Sequence, residues 1–132
     1  MKQEEKELLL RDLYSRLPYE VKVLCLRDFN HKWYNLKMVD IRDKVYVTTY
    51  EPYANRYVKI EEIKPYLFPL SSMTEEQKII YGDLCYAVIH SLAWDMQAPL
   101  NELVDWLNKN HFDYRGLIPM GLANDAINLN IY

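Results

Sequence analysis

The sequence has 132 residues, of which half are hydrophobic, 27% are charged and only nine are Gly or Pro, a composition that excludes a disordered protein. A chain of this length is expected to form one domain around one core, without disulfides or metals to hold it together. The net charge of −3 hides a mildly basic middle, with nine Lys and Arg against seven Asp and Glu from Tyr19 to Tyr66, which is a smaller surplus than nucleic-acid-binding surfaces usually carry.

The cysteines and the apolar runs bear on the compartment. Cys25 and Cys85 are the two cysteines of the sequence, and each lies in an apolar run, so we expect two buried free thiols. The first residues, MKQEEKELLLRDL, carry charges where a signal peptide needs an apolar stretch, and no run in the sequence is long enough to cross a membrane. We therefore expect a cytoplasmic protein that does not associate with membranes.

A first helix is predicted from Glu4 to Leu17. Its apolar residues recur at the i, i+3, i+4, i+7 spacing of one helix face, namely Leu10, Leu13, Tyr14 and Leu17. Glu residues come early in this segment and Arg11 and Arg16 come late, which suits the helix dipole. Pro18 predicts the end of the helix.

The residues that follow change to the period of a β-strand. β-Branched and aromatic residues predict strands at Val21 to Leu26, Leu36 to Ile41, Val45 to Tyr50 and Tyr57 to Ile60. The short connection from Ile41 to Lys44 is typical of a hairpin. Three or four such strands form either a small SH3-like barrel or an open curved sheet that needs a helix on one face, and both alternatives stay open.

The segment from Lys64 to Leu70 contains Pro65 and Pro69, which fix φ and remove two backbone donors. This predicts neither a regular helix nor a central strand. We interpret the segment as a rigid extended crossing within a single domain. It joins residues 1–70, which hold the first helix and the sheet, to a helical half at residues 71–132.

Two helices are predicted in the second half. Thr74-Glu75-Glu76-Gln77 fits a capping box at the start of a long helix. This helix is expected to run to about Trp94 and to bury one stripe, made of Ile80, Leu84, Ala87, Val88, Ser91 and Leu92. Pro99 suits the first position of the next helix, which is expected to end near Asn110 and to pack antiparallel to the previous one.

After Gly116 the chain is punctuated by Pro, Gly and Asn residues, which allow at most one short helix from about Leu122. Together these elements predict a single α+β domain. It has an N-terminal helix, a three- to four-stranded antiparallel sheet and a C-terminal antiparallel helical pair.

Three segments are similar to an uncharacterised family of small proteins from gut Bacteroides and their phages or mobile elements. They are DLYSRLPY from Asp12 to Tyr19, IEEIKPYLFPLSSMTEE from Ile60 to Glu76, and DWLNKNHFDYRGLIPMGLA from Asp105 to Ala123. The resemblance implies a phage or mobile-element setting, and it implies no activity and no catalytic residue.

His111, Asp113 and Arg115 alternate in the HFDYR segment. On an extended backbone their side chains point to one side, where they can serve as a base, an acid and an anion holder. The structural alternative, which we rank higher, is that Asp113 and Arg115 close a turn after the last helix while Phe112 and Tyr114 anchor the core.

The sequence predicts no metal, no cofactor and no enzymatic activity. His90 and His111, together with Asp83 or Asp95, lack the local spacing of a metal centre. Cys85 lies beside the predicted buried stripe, where a thiol is a poor nucleophile.

Aromatic residues give the leading functional hypothesis. Nine of the eighteen aromatic residues lie between Tyr19 and Tyr66, and Tyr and Trp are typical of protein-binding surfaces because they join a large apolar area to a polar tip. We therefore expect a non-enzymatic accessory protein that binds another protein, with inhibition of a host factor as one version. The predicted binding residues are Trp33, Tyr46, Tyr50, Tyr53, Arg56, His111, Asp113 and Arg115.

The alternative is a nucleic-acid-binding module, in which bases stack on aromatic side chains and cations hold the phosphates. Its predicted residues are Lys22, Arg27, Lys32, Trp33, Lys37, Tyr46 and Arg56. Because the net charge of this part of the chain is only +2, protein binding ranks above nucleic-acid binding.

Overall fold

The protein has the α+β architecture that its sequence predicts. The computed structural model describes residues 1–26, 33–39, 44–48, 55–91 and 97–132, and for 44–48 and 55–57 it describes the backbone alone. Within these ranges the helices are α1 (Gln3–Arg16), α2 (Glu75–Ser91) and α3 (Ala98–Lys109). The strands are β1 (Lys22–Cys25), β2 (Tyr34–Val39), β3 (Lys44–Thr48), β4 (Asn55–Lys59), β5 (Ile63–Pro69), β6 (Phe112–Asp113) and β7 (Asn124–Asp125).

α1 buries a different face from the predicted one. The stop predicted at Pro18 is confirmed, since the helix ends at Arg16 and Pro18 lies in the 3-10 turn that follows. Of the predicted stripe Leu13 is fully buried, but Tyr14 is 50% exposed. The fully buried residues have the same i, i+3, i+4, i+7 spacing and are Leu9, Asp12, Leu13 and Arg16. Since two of these four residues are charged, apolar periodicity could not locate the face.

The sheet is open. Its strand order is β4-β3-β2-β1-β5-β6, and β7 also pairs with β5. The pairs from β4 to β5 are antiparallel, whereas β6 and β7 lie parallel to β5. Among the described residues β4 pairs with β3 alone, so the barrel alternative is not formed. The turn of the predicted Ile41 to Lys44 hairpin falls on 41–43, outside the described residues.

β5 overturns the prediction that the extended segment with two prolines is not a central strand. It runs from Ile63 to Pro69 and pairs with other strands along its whole length. Its first residues pair with β1, its middle residues pair with β7 and its last residues pair with β6. This segment is therefore where the two halves of the chain share one sheet.

The direction of the backbone groups explains why Pro65 is tolerated. Backbone groups of successive residues point to opposite edges of a strand. The Phe68 N–H donates to the His111 carbonyl at 2.8 Å, and the Tyr66 carbonyl accepts from the Tyr132 hydroxyl at 2.8 Å, both on the edge that faces β1 and β6. Pro65 alternates with these residues, so its nitrogen points away from that edge. Its missing N–H therefore costs no hydrogen bond to β1.

The main core lies between α1 and the sheet. It is formed by apolar side chains from α1, β1, β2, β5 and the tail, and these are Leu9, Leu13, Val21, Val23, Cys25, Tyr34, Leu36, Val39, Ile60, Ile63, Leu67, Leu117, Leu122 and Ala123. A second cluster joins the helical part to the end of β5 and contains Met73, Leu107 and Phe112, with Phe68, Tyr81, Leu103, Trp106 and Tyr114 against it. Cys25 is buried, as predicted, while Cys85 is only half-buried, and the two cysteines form no disulfide.

The predicted capping box at the start of α2 is confirmed. The Thr74 N–H donates to the Gln77 side-chain oxygen at 2.9 Å, and the Gln77 N–H donates to the Thr74 hydroxyl at 3.2 Å. Two amides that the helix itself cannot satisfy are thereby paired.

The predicted buried stripe of α2 is only partly right. Leu84 and Val88 are half-buried and Ser91 is buried, but Ile80 is 44% exposed and Ala87 is exposed. The predicted Leu92 lies outside the described residues. The reason is the packing against α3, where the ring of Tyr81 stacks on Trp106 at a centroid distance of 6.3 Å. That contact turns the Ile80 side of the helix outward.

α3 has Pro99 in its first turn, as predicted. The tail after Gly116 forms β7 rather than the short helix allowed from Leu122. The tail pairs with β5 instead, and the Ala126 N–H donates a hydrogen bond to the Leu67 carbonyl of β5 at 2.8 Å.

Candidate functional site

The HFDYR segment begins where α3 ends. His111 has a φ of 61°, a left-handed conformation that breaks the helix, and β6 follows immediately. Phe112 is aligned with Phe68 of β5 and is almost fully buried. The segment is thus held by backbone pairing, and its three polar side chains enter three different surroundings.

Asp113 closes a turn. Its two carboxylate oxygens accept hydrogen bonds from the backbone N–H groups of Leu117 and Ile118, each at 2.9 Å. The residue is only 7% exposed. A carboxylate whose two oxygens are both used by the backbone is poorly placed to act as an acid or a base on a substrate.

Arg115 belongs to a buried ionic cluster with α1. Its guanidinium donates to the Asp12 carboxylate at 2.8 Å and to the Ser15 hydroxyl at 3.2 Å. The other Asp12 oxygen accepts from Arg16 Nε at 2.8 Å, and Arg16 Nη2 donates to the Phe112 carbonyl at 2.7 Å. Asp12 and Arg16 have no exposed surface. This ionic cluster therefore ties α1 to the HFDYR segment.

The ionic cluster contains one carboxylate and two guanidiniums. The Tyr114 ring compensates in part, since the Arg115 guanidinium carbon lies 4.6 Å from its centroid and that of Arg16 lies 5.2 Å from it. Arg16 Nη1 is buried without a hydrogen-bond partner among the described residues. The cluster therefore has a net positive charge, which helps to lower the pKa of the nearby His111.

His111 lies in a stack of rings and cations. Its imidazole stacks on the Tyr132 ring at 3.7 Å, and Lys22 Nζ lies 5.8 Å from that ring and 4.0 Å from the Trp33 ring. Burial, with the positive charges of Arg16 and Lys22, lowers the pKa of His111 to about 4. The imidazole is therefore neutral near pH 7.

Tyr132 joins β1 to β5. Its hydroxyl accepts from the Lys22 backbone N–H and donates to the Tyr66 carbonyl, each at 2.8 Å. These two backbone groups lie just beyond the end of the β1–β5 pairing at Val23 and Pro65. Burial raises the pKa of the Tyr132 hydroxyl, so it stays protonated and can donate.

A cavity of about 370 Å³ lies beside His111. Phe68, Phe112 and Tyr132 provide aromatic walls, and the polar lining residues are Ser72, Thr74, Gln77, Lys109, Asn110 and His111. Most of these polar groups are already used by the fold. Thr74 and Gln77 cap α2, the Ser72 hydroxyl donates to the Pro69 carbonyl, and the Asn110 side chain donates to the Trp106 carbonyl. The cavity therefore has space for a small molecule but few side chains to orient one.

The candidate metal ligands do not converge. His90 lies on the exposed side of α2 with its ring 4.1 Å from Tyr86, whereas His111 stacks on Tyr132. In the part of the chain that the structure describes, no group of three or more His, Cys, Asp or Glu side chains is arranged to hold a metal ion. Asp95, the other predicted partner, lies outside that part.

For most of the sheet residues that were predicted to bind a partner, the binding role stays a prediction. Trp33 is half-buried beneath Lys22, and Lys37 is exposed on β2. Tyr46 and Arg56 lie on β3 and β4, whose side chains are not described there, and Tyr50, Tyr53, Arg27 and Lys32 lie outside the described residues. The structure brings Lys22 and Trp33 together from the predicted set for nucleic acid.

The sequence analysis missed an exposed apolar surface on α2. Its large residues have high exposed fractions, with Ile79 66%, Ile80 44%, Tyr86 65% and Ile89 66% exposed. We call the exposed residues between Ile79 and His90 the outer face of α2, namely Ile79, Ile80, Gly82, Asp83, Tyr86, Ala87, Ile89 and His90. The sequence signal was present, because Asp83 is the only formally charged residue from Ile79 to Ser91. A helix that is apolar all round normally has both faces covered.

Comparisons with known proteins add no further constraint, since no family model, no curated protein and no solved structure matches this chain. Within the described residues, no helix combines the length and apolar character needed to cross a membrane.

Proposed function

We propose that this protein is a non-enzymatic accessory protein that acts by binding another protein through the outer face of α2. The observation that carries the proposal is the exposure of Ile79, Tyr86 and Ile89, each about two-thirds accessible on the same side of one helix. Contiguous apolar patches of this kind mark interaction sites, because water contact with large apolar side chains is unfavourable.

The chemistry of this face favours a protein over a nucleic acid. From Ile79 to Ser91 it carries no Lys or Arg, and its formal charge comes from Asp83 alone. Binding to phosphates needs cations that displace the counterions of the nucleic acid. An aromatic and aliphatic surface with one carboxylate instead matches the centre of a protein interface.

The structure of the HFDYR segment supports the non-enzymatic part of the proposal. The Asp113 oxygens are used by a turn, and Arg115 is used by the buried ionic cluster. The three segments that are similar to the Bacteroides family suggest a phage or mobile-element setting. In that version of the proposal the bound protein is a host factor. In that version the aromatic residues of the sheet, such as Trp33 and Tyr46, form a second contact surface.

The test compares two tyrosine variants in affinity capture from a lysate of the source cell. Tyr86→Lys places a charge at the centre of the outer face, and Tyr14→Lys is the matched control, since Tyr14 is 50% exposed on α1. We expect recovery of a specific partner to fall at least tenfold with Tyr86→Lys and to stay unchanged with Tyr14→Lys. Equal recovery with both variants contradicts the outer face as the recognition surface.

A further inference from the structure

We infer that the cavity beside His111 binds a small planar aromatic carboxylate, with its ring against the aromatic walls and its carboxylate directed toward Lys109, Gln77 and the imidazole. No residue that lines this cavity belongs to the outer face of α2, so the site is separate from the proposed protein-binding surface. Three features support the choice of ligand, namely the aromatic walls, the hydrogen-bonding groups that the fold leaves unused, and the local charge.

The inner end of the cavity is aromatic. Phe112 is almost fully buried, and the Phe68 ring lies 6.5 Å from the Phe112 ring and 5.8 Å from the Tyr132 ring, measured between centroids. The His111 imidazole stacks on Tyr132, which fixes the plane of the imidazole. Aromatic side chains hold flat rings through offset-stacked and edge-to-face contacts. A volume of about 370 Å³ is at the lower end of the range for ligand sites, so it suits one ring or two fused rings.

Two side chains at the polar end have hydrogen-bond donors that the fold leaves unused. The capping box uses the side-chain oxygen of Gln77, and the amide N–H groups of this side chain have no acceptor in the described part of the chain. Lys109 is exposed at the end of α3 and forms no ion pair with another described residue. An ammonium and an amide nitrogen can only donate, so they select a ligand that carries acceptor oxygens.

The His111 imidazole is a third donor. Its Nδ1 is buried and has no hydrogen-bond partner among the described residues, so Nε2 is the ring nitrogen that a ligand can reach. The neutral ring carries one proton, on one of its two nitrogens. A proton on Nδ1 would be buried without an acceptor, whereas a proton on Nε2 can be donated to water or to a ligand. We therefore assign the proton to Nε2, where it can be donated to a carboxylate.

The local charge favours an anion. Lys109 is the only charged residue among the nine that line the cavity. Arg16 and Lys22 add positive charge close to the imidazole. Glu75 and Glu76, in the first turn of α2, are exposed and do not line the cavity. A carboxylate in the cavity is therefore attracted, whereas an amine or a metal cation is repelled.

NMR titration of the isotope-labelled full chain with indole-3-acetate tests the site. We expect saturable shifts of the backbone amide resonances from Lys109 to Phe112, with a dissociation constant of roughly 0.1–1 mM for a ligand of this size. Indole-3-acetamide has the same rings without the charge. It should bind about fivefold more weakly, because charge-assisted hydrogen bonds are about twice as strong as neutral ones. Acetate, which has the charge without the rings, should cause no saturable shift.

Gln77→Glu tests the donors without disturbing the start of α2. Glu and Gln are both suited to this position of a capping box, so the helix start is kept while the amide donor is replaced by a negative charge. We expect the affinity for indole-3-acetate to fall at least tenfold. Gln97→Glu is the matched control, since Gln97 is exposed and does not line the cavity. Circular dichroism checks that both variants are folded.

Lys109→Met tests the charge separately. It keeps the apolar part of an exposed side chain and removes the ammonium. The affinity for indole-3-acetate should fall about threefold, as for a partly exposed ion pair, while that for indole-3-acetamide stays unchanged. Lys37→Met is the matched control, because Lys37 is an exposed lysine of β2 that does not line the cavity.

The results expected for the wild-type protein do not depend on any variant. Absence of saturable shifts up to about 10 mM indole-3-acetate, or equal affinity for the acid and the amide, overturns the site. Shifts confined to the outer face of α2 also overturn it. Equal effects of Gln77→Glu and Gln97→Glu contradict the placement of the carboxylate. None of these results alters the capture experiment with Tyr86→Lys, so this site and the protein-binding surface can fail separately.

Discussion

Asp12 and Arg115 are separated by 103 residues in the chain and by 2.8 Å between their charged groups. The same carboxylate holds Arg16, one turn further along α1, at 2.8 Å. Asp12 is fully buried, so its charge is stabilised by these two guanidiniums and not by water. This shared carboxylate connects the first helix to the segment that follows the last helix.

Asp12→Asn is expected to be among the most destabilising single substitutions. It leaves the buried Arg16 without its counter-charge, and breaking a buried pair in this way costs about 3–5 kcal/mol. Urea unfolding followed by circular dichroism measures the free energy of unfolding. Glu7→Gln is the control, because Glu7 is an exposed acid on the same helix. A loss no larger than that of the control contradicts the stabilising role of the ionic cluster.

Asp113→Ala is expected to lower the free energy of unfolding by about 3 kcal/mol, because two backbone amides lose a charged acceptor. Asp113→Asn keeps one acceptor oxygen, so we expect about half of that loss. Asp125→Ala is the matched control, since the exposed Asp125 carboxylate accepts one backbone amide, that of Ile127. Equal stability of the Asp113 and Asp125 variants would show that the turn does not depend on Asp113.

Tyr132→Phe keeps the ring on His111 and removes the hydroxyl between Lys22 and Tyr66. We expect a loss of about 1 kcal/mol in the free energy of unfolding. Amide hydrogen exchange gives a local measurement, in which the Lys22 amide exchanges faster in the variant. Tyr14→Phe serves as the control. Unchanged protection of the Lys22 amide argues against the bridge.

The pKa of His111 makes stability depend on pH. Its folded value of about 4 lies below the unfolded value of 6.5, so the unfolded chain binds a proton more readily between these two values. The contribution of His111 is complete above about pH 6.5 and is lost as the pH falls toward 4.

Two measurements check the His111 prediction. An NMR titration of the imidazole should give a midpoint near 4 in the folded protein. His111→Asn removes the titrating group and is tolerated at the positive φ of this position, since Asn adopts left-handed backbone more readily than most residues. We expect a smaller loss of stability between pH 6.5 and 4 in the variant, and a midpoint near 6.5 in the wild type would contradict the burial of the imidazole.

Local signals in the sequence located most elements. The Thr74 and Gln77 capping box, the stop at Pro18 and the start at Pro99 depend on contacts within one helical turn, and each is confirmed. The first four strands were predicted to within about two residues, as for β2, which begins at Tyr34 rather than Leu36, whereas β5, β6 and β7 were not predicted. The start of β2 was missed because Asn35 is buried in the sheet, and a polar residue does not signal a buried strand.

Features that depend on distant partners were not predictable. The buried face of α1 includes Asp12 and Arg16, whose burial makes sense only once Arg115 and the Phe112 carbonyl are beside them. Pro65 predicted against a central strand, because the sequence does not show that its nitrogen points away from the edge that pairs with β1. The apolar residues of α2 surround the helix, so the contact of Tyr81 with Trp106 decided which of them lie outward.

The candidate site was predictable in part. The turn role of Asp113 is confirmed by its two backbone hydrogen bonds. Arg115 pairs with α1 rather than with the end of the preceding helix, because its partner Asp12 comes from the other end of the chain. The roles predicted for the sheet aromatics stay predictions.

The parallel pairing of β5 has a consequence for synthesis on the ribosome. β5 is complete at Pro69, but its partners β6 and β7 end at Asp113 and Asp125. At about 5–20 residues per second, the nascent chain waits roughly 3–11 seconds after Pro69 emerges before β7 can pair. Throughout this interval one edge of the strand offers unsatisfied amides and carbonyls to any other extended chain, and Pro65 and Pro69 shorten the stretch that an intruding strand could use.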